Sequence, residues 1–233
     1  ITGNISTSGN TLSGILIRAS ADNNNITLTG DINITGATNA FGVRILGTDA
    51  DNLSSDNVIT VNGNINTVWH SIDIGNYSKD NNIVVNGNVQ STGGGAVKIS
   101  VGSTNNVVVV NGNLTTTATS GSPTIQIFDQ ATDNLIIIDG NVTQLANQAA
   151  VGFGSPVDTT AHDNTILITG QITSAQDGIV FSRSDHNEVF VSGGIDAVRN
   201  AISADSNSDN NIVYLDRNAR IEGAIVNNGT NNT

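Results

Sequence analysis

The stretch Asp80-Asn-Asn-Ile-Val-Val-Asn-Gly-Asn-Val89 decides the fold, because variants of it recur along the whole chain. Close copies run from Asp56 to Ile65 and from Asp133 to Val142. Its central glycine returns at intervals of 23 to 33 residues, at Gly30, Gly63, Gly87, Gly112, Gly140, Gly170 and Gly193. Such a period indicates one supersecondary unit repeated along an axis.

Three apolar columns accompany the glycines at constant offsets. Aliphatic residues lie four and two positions before each glycine and two positions after it, as Ile83, Val85 and Val89 do around Gly87. Because they alternate with variable residues, they have the period of two that is typical of a strand with one buried face. A second strand, such as Ile72-Asp-Ile74, follows at variable distance. The turns are too short for crossover helices, so the sequence predicts a parallel β-helix.

An asparagine lies six residues before each of these glycines and shares the parity of the buried aliphatic residues. We therefore expect its amide to point inward at a turn and to hydrogen-bond to the amides of neighbouring coils as an asparagine ladder. The predicted ladder comprises Asn24, Asn57, Asn81, Asn106, Asn134, Asn164 and Asn187. After Gly193 the glycine is missing, and Asn210 and Ile212 are assigned to the start of an irregular last coil.

Composition excludes several classes of partner. With 8 basic and 20 acidic residues the formal net charge is -12, which opposes binding to nucleic acid. No apolar run approaches the roughly 20 residues that span a bilayer, so we expect no direct membrane insertion of this segment. The chain has no cysteine, which removes disulfides and thiolate metal sites, and we predict no cofactor.

Aspartates crowd the turn before the asparagine column, at Asp22, Asp56, Asp80, Asp133, Asp163, Asp185 and Asp209. Stacked carboxylates repel one another unless calcium lies between them or each bonds to its own turn as an Asx motif. The aspartates occur at two different offsets from the glycine, which favours the Asx interpretation. We predict no metal site, with calcium as the alternative.

An enzyme of this architecture would need clustered acids beside an Arg, Lys or His on adjacent coils. The histidines fall in unrelated turns or loops, at His70, His162 and His186. The outward residues of the second strand include Arg44, Asp73 and Lys98, which predict an alternating-charge ladder rather than a catalytic set. We therefore predict no catalytic residues and no enzymatic activity.

The outward side of the first strand carries an apolar stripe. Five consecutive repeats have an apolar residue three positions before the glycine, and two further residues widen the stripe by one column. The candidate interface comprises Val84, Val109, Ile137, Leu167 and Phe190, with Val107 and Leu135 beside them. A soluble rod rarely leaves such a stripe bare. Its cover could be a long loop, a flanking domain or another copy of the chain, and we predict a lateral interface, either homo-oligomeric or within a filament, with loop coverage as the alternative.

The Asp80 to Val89 pattern, its copies and the Gly-Ile-Val-Phe strand at Gly178 to Phe181 resemble those of right-handed parallel β-helices of the autotransporter passenger and bacterial surface adhesin type. The resemblance covers nearly the whole chain. It implies a right-handed coil and an exported stalk that is extracellular or attached to the outer membrane at the bacterial cell surface.

The predicted fold class is all-β, a single-stranded right-handed parallel β-helix of eight or nine coils. It forms one domain over residues 1–233, which we expect to be a piece of a longer surface protein. The expected function is structural and adhesive: attachment between cells or to a surface, or self-association. The expected partner is another copy or a surface ligand, either protein or glycan. The alternatives are a polysaccharide lyase or hydrolase and a filament or surface-layer subunit.

Overall fold

The computed structural model describes residues 1–9, 12–36, 39–117, 121–155 and 160–233, and all regular structure within them is β-strand. The strands form a solenoid of about eight coils, in which each complete coil adds a strand to each of three faces. Strands of successive coils pair in parallel and in register. The predicted all-β parallel β-helix is confirmed, and its right-handed sense stays a prediction.

Face A contains the first strand of each repeat. Its strands are Asn25–Thr29, Val58–Asn62, Asn82–Val85, Val107–Val110, Leu135–Ile138, Thr165–Ile168, Glu188–Val191 and Ile212–Leu215. Face B contains the strand after the glycine. Its strands are Ile5–Thr7, Ile32–Ile34, Ile65–Thr67, Val89–Ser91, Leu114–Thr116, Val142–Gln144 and Gln171–Ser174.

Face C contains the strand of variable distance. Its strands are Ser13–Arg18, Phe41–Leu46, Ile72–Gly75, Val97–Ile99, Ile125–Ile127, Val151–Gly154 and Ile179–Ser182. Gly194–Ala204 and, paired with it, Arg220–Asn227 pass from face B to face C, so these two faces are one continuous sheet. Two-residue strands form a small third sheet before the asparagine turn: Ala131–Thr132, Ala161–His162 and Ser184–Asp185.

The core is a narrow stack of aliphatic side chains from all three faces, as predicted. Inward residues of face A such as Val108 and Ile136 are fully buried, and the alternate residues face outward. One aromatic pair lies inside the stack, where the rings of Phe153 and Phe181 are parallel with centroids 5.1 Å apart. This alternation fixes which side chains any ligand could reach.

The repeated glycine is required by the close approach of successive coils. A Cβ atom at Gly112 would lie 2.4 Å from the carbonyl oxygen of Gly87, and one at Gly87 would lie 2.4 Å from that of Gly63. Real Cβ contacts do not reach this distance, and the φ of Gly112 is not in the left-handed region. From Gly63 to Gly193, space rather than backbone freedom therefore selects glycine in this column, whereas Gly30 also has a φ of 145°.

The predicted register of the last coil was wrong by one residue. Asn211, not Asn210, accepts the backbone N–H of Asn187, and Val213, not Ile212, is aligned with Val189. Asn210 instead adopts a φ of 57° at the turn. Two adjacent asparagines and the missing glycine removed the landmarks that fix the register elsewhere.

Candidate functional site

The ladder asparagines inside the stack saturate their amides with protein partners, as Asn106 shows. The Nδ2 of Asn106 donates to the Oδ1 of Asn134 at 3.0 Å and to the carbonyl oxygens of Ser78 and Thr104 at 2.9 and 3.0 Å. Its Oδ1 accepts the side-chain and backbone N–H groups of Asn81 at 2.9 and 3.1 Å. A buried amide with all of these bonds is a structural group rather than a binding group.

The predicted ladder is confirmed and is longer than expected. Every predicted asparagine from Asn24 to Asn187 takes part, and Asn211 and Asn232 continue the series. The ladder asparagines from Asn57 to Asn211 are each at most 1% exposed, whereas Asn24, in the first coil, is exposed. Asn232 was not among the predicted ladder residues, and its place in the ladder follows from the hydrogen bonds that it accepts from Asn211.

A second ladder, missed by the sequence analysis, runs beside the glycines. The backbone N–H of Asn88 donates to the Oδ1 of Asn64 at 2.9 Å, and that of Asn113 donates to the Oδ1 of Asn88 at 2.9 Å. Here the acceptor lies in the preceding coil, whereas in the inner ladder it lies in the following coil. The sequence does carry a signal for it, since the residue after the glycine is asparagine in four consecutive repeats, at Asn64, Asn88, Asn113 and Asn141.

The turn aspartates fall into two geometric groups. Those directly before a ladder asparagine have a left-handed backbone, as Asp80 does with a φ of 55°, and aspartate tolerates this region better than most residues. Those one position earlier accept hydrogen bonds from the next coil, as Asp185 does from the N–H of Asp209 at 2.8 Å. Hydrogen bonds from the hydroxyl and N–H of Thr230 lower the pKa of the Asp209 carboxyl.

Within the described ranges, no group of three or more His, Cys, Asp or Glu residues is arranged to hold a metal ion.

The predicted charge ladder on the outer side of face C is present. Asp73, only 1% exposed, contacts the Nε of Arg44 at 2.8 Å and the Nζ of Lys98 at 3.5 Å. The guanidinium of Arg44 also lies 3.8 Å above the ring of Phe41. Two cations flank this carboxylate and link three coils, while its Oδ1 makes an ion pair with Lys98 but no hydrogen bond.

His70 is buried against this cluster. Its ring stacks on Phe41 and contacts Trp69 edge-on, with centroids 6.1 and 5.2 Å away, and its Nδ1 accepts the N–H of Gly95 at 3.0 Å. Burial lowers the pKa of His70 to about 4, against the opposing charge of Asp73. The neutral imidazole is therefore a packing group at physiological pH.

The remaining histidines lie on the surface. The Nδ1 of His162 lies 2.9 Å from the Oδ2 of Asp163, and both side chains are about half exposed. His186 occupies the left-handed turn position with a φ of 56°. The structure does not bring these residues together with His70 into one site.

The predicted apolar stripe forms an unbroken column on the outer side of face A. Val84, Val109, Ile137, Leu167 and Phe190 are aligned strand by strand, and each is partly exposed. Val107 and Leu135 are aligned beside them and are also partly exposed. Within the described residues, no segment buries this stripe.

Tyr214 extends the stripe by one coil. Its ring stacks on that of Phe190 with centroids 4.4 Å apart and planes 11° apart, and the residue is 44% exposed. Tyr214 was not predicted to belong to the stripe, because the predicted register of the last coil was wrong by one residue. From here on, the stripe means Val84, Val107, Val109, Leu135, Ile137, Leu167, Phe190 and Tyr214.

A groove of about 400 Å³ lies on the outer side of face C. Its floor includes Gln126, Gly152 and Val180, the outward residues of three successive coils, and one wall carries the Asp177–Arg199 ion pair. The sequence indicated that these floor residues face outward. It gave no sign of the wall, which is built by bends of variable length.

No helix in the described part of the chain has the length and apolar character needed to cross a bilayer. Comparison of the chain with protein-family models, with curated proteins and with solved structures found no match.

Proposed function

We propose that this chain is a structural and adhesive module of an exported bacterial surface protein, a stiff stalk that associates laterally with other copies through the stripe. The observation that carries the proposal is the stripe, which extends over six coils of face A and is left partly exposed. The bacterial and cell-surface part rests on the resemblance of the repeat to autotransporter passengers and surface adhesins.

The charge distribution favours another copy of the chain as the occupant of the stripe. A net charge of -12 repels a second copy over most of the surface. The outward columns of face A, by contrast, are almost uncharged, with Asp139, Glu188 and Asp216 as their charged members. Two flat sheet faces can approach to about 10 Å and bury their outward side chains.

The size of the stripe indicates weak association. Six coils span about 25 Å, and two columns of side chains cover a few hundred Å². A stable interface needs about 800 Å² per partner, so an isolated pair of copies would separate readily. Many copies held side by side on a cell would gain from the high local concentration.

Light scattering on the purified chain tests the lateral interface. We expect the apparent mass of the native chain to rise with concentration and that of Phe190→Asp to stay monomeric. Val198→Asp is the matched control, because Val198 lies in the same coil, is 80% exposed and is outside face A. Monomers in all three samples at high concentration would refute the lateral interface.

We also propose that the chain is not an enzyme. In support, the buried carboxylate of Asp73 forms ion pairs with two cations. The turn aspartates that lie two residues before a ladder asparagine, such as Asp22 and Asp185, accept backbone N–H groups. Incubation with polyuronides, followed by a search for unsaturated or reducing products, tests this proposal. Release of such products by the native chain would establish the lyase or hydrolase alternative.

A further inference from the structure

The groove on face C is built by bends that stack in successive coils. Pro123, Gln148, Gln176 and Arg199 come from the bends between faces B and C of four coils and form one wall. Gly152 provides a floor without a side chain, and Pro123 packs over it, since a Cβ there would lie 2.8 Å from the Pro123 Cγ. The groove therefore runs along the stack rather than around one coil.

Three glutamine amides line this groove, and none of them has a partner among the residues that the structure describes. Within the described residues, the side chains of Gln126, Gln148 and Gln176 make no hydrogen bond. Ladder amides such as that of Asn106, by contrast, make every bond they can. Each free amide offers two donors and one acceptor with two lone pairs, so the groove presents a set of both kinds at one place.

The charges of the groove cancel. Asp177 is 3% exposed, and its carboxylate accepts the Nε of Arg199 at 2.8 Å, the Nη2 of the same guanidinium, and the Nδ2 and N of Asn200 at 3.0 and 3.2 Å. The side chain of Arg199 remains 59% exposed, and its Nη1 donors are not used in this pair. The groove is thus close to neutral on a strongly acidic protein, and its lining combines polar side chains with apolar ones such as Val180 and Pro123.

We propose that this groove binds a neutral oligosaccharide. Vicinal hydroxyls donate and accept at once, which matches the free amides, while the C–H face of a sugar ring can lie on Val180 and Pro123. An acidic polysaccharide would be repelled by the net charge of -12. An extended peptide usually binds to an open sheet edge, but Ile125–Ile127 and Val151–Gly154 are each paired on both sides.

The inference deepens the adhesive part of the proposed function and does not depend on the stripe, which lies on another face. The probe is an array of immobilised glucan, mannan, galactan and polyuronide oligosaccharides, read with the labelled native chain. We expect binding to at least one neutral oligosaccharide and none to the polyuronides. The Phe190→Asp chain should bind as the native chain does, so a failure of lateral association leaves this result unaffected.

The variant that identifies the groove carries Gln126→Ala, Gln148→Ala and Gln176→Ala. Losing three sets of hydrogen bonds should weaken the apparent affinity about tenfold or more. Gln90→Ala is the control, because Gln90 is an exposed glutamine on face B. Circular dichroism verifies the fold of both variants, and each single variant is measured if the triple variant does not fold. The proposal would be overturned if the native chain bound none of the neutral oligosaccharides. It would also be overturned if the glutamine variants bound them with the same apparent affinity as the native chain.

Discussion

An asparagine is the side chain that fits the inner ladder, because each position needs a donor and an acceptor on one short group. Asn106 receives two N–H groups on its Oδ1 and directs its Nδ2 to three oxygens. Aspartate would lose the donor and bring a charge to a site with no exposure. Serine would be too short to reach both neighbours, which explains why residue identity at this position is so uniform.

The replacement Asn106→Ala should destabilise the protein by about 3 kcal/mol, since it leaves several buried backbone and amide groups unpaired. Asn111→Ala is the matched control, because Asn111 is exposed and its Nδ2 makes one bond, to the Oδ1 of Asn86 at 2.7 Å. The control should change stability by about 0.5 kcal/mol or less. Urea unfolding followed by circular dichroism measures both, and equal losses would contradict the structural role of the inner ladder.

His70 should make stability depend on pH. Burial lowers its pKa to about 4 from an ordinary value near 6.5, so between these values the unfolded chain binds more protons than the folded chain. The unfolding free energy should therefore fall as the pH drops from about 6.5 to 4, by up to about 3 kcal/mol. Above pH 6.5 this contribution is fully present.

The test compares urea unfolding at several pH values for the native chain, His70→Asn and His162→Asn. An asparagine can accept the Gly95 N–H as the Nδ1 of His70 does, but it does not titrate. His70→Asn should thus flatten the profile between pH 6.5 and 4. His162 has a half-exposed side chain, so its variant should keep the native profile. A native profile without this fall in stability would contradict the assignment.

The strands were predictable from sequence because burial imposes a period of two on them. Ile72-Asp-Ile74 and Val97-Lys-Ile99 were found by alternation alone, and they pair in the predicted register. Tyr214 was missed because the last coil lacks a glycine landmark. The wall of the groove was not predicted. The bends that carry Gln148 and Gln176 do not recur at a constant distance in the sequence, so no periodic pattern shows that these side chains of different coils lie close together.

The glycine column sets how closely the strands of faces A and B can stack. A methyl group at Gly112 would meet the carbonyl oxygen of Gly87, and backbone atoms can move apart only by breaking interstrand hydrogen bonds such as that from the N–H of Asn111 to the oxygen of Val85, 2.8 Å. We expect Gly112→Ala to destabilise the protein by about 3 kcal/mol or more.

Gly75→Ala is the comparison for this prediction. Gly75 is also buried, but a Cβ there would lie 3.4 Å from the Leu46 Cδ2 and the Ser100 Oγ, which are side-chain atoms at ordinary contact distance. Its variant should lose about 1 kcal/mol or less. Thermal unfolding of the two variants beside the native chain measures the difference. If Gly112→Ala were as stable as Gly75→Ala, close coil approach would not be the reason for the glycine column.

The whole molecule combines a strongly acidic surface with one nearly uncharged face. Each coil contacts its neighbours, so stability accumulates along the stack, and the ladders on two corners bond in opposite directions along it. Lateral contact is opposed by the net charge of -12 and favoured by the stripe. The balance between these two terms determines whether copies associate.

Salt should shift this balance toward association. At low ionic strength the repulsion between acidic copies extends over tens of Å, whereas near 1 M salt the Debye length is about 3 Å and contact between apolar faces is little affected. The weight-average mass of the native chain, measured by sedimentation equilibrium, should therefore increase with salt. Phe190→Asp should remain monomeric throughout, because a charge then lies within the stripe. Association that weakens with salt would instead indicate an interface held by ion pairs, and no interface across the uncharged stripe could behave in that way.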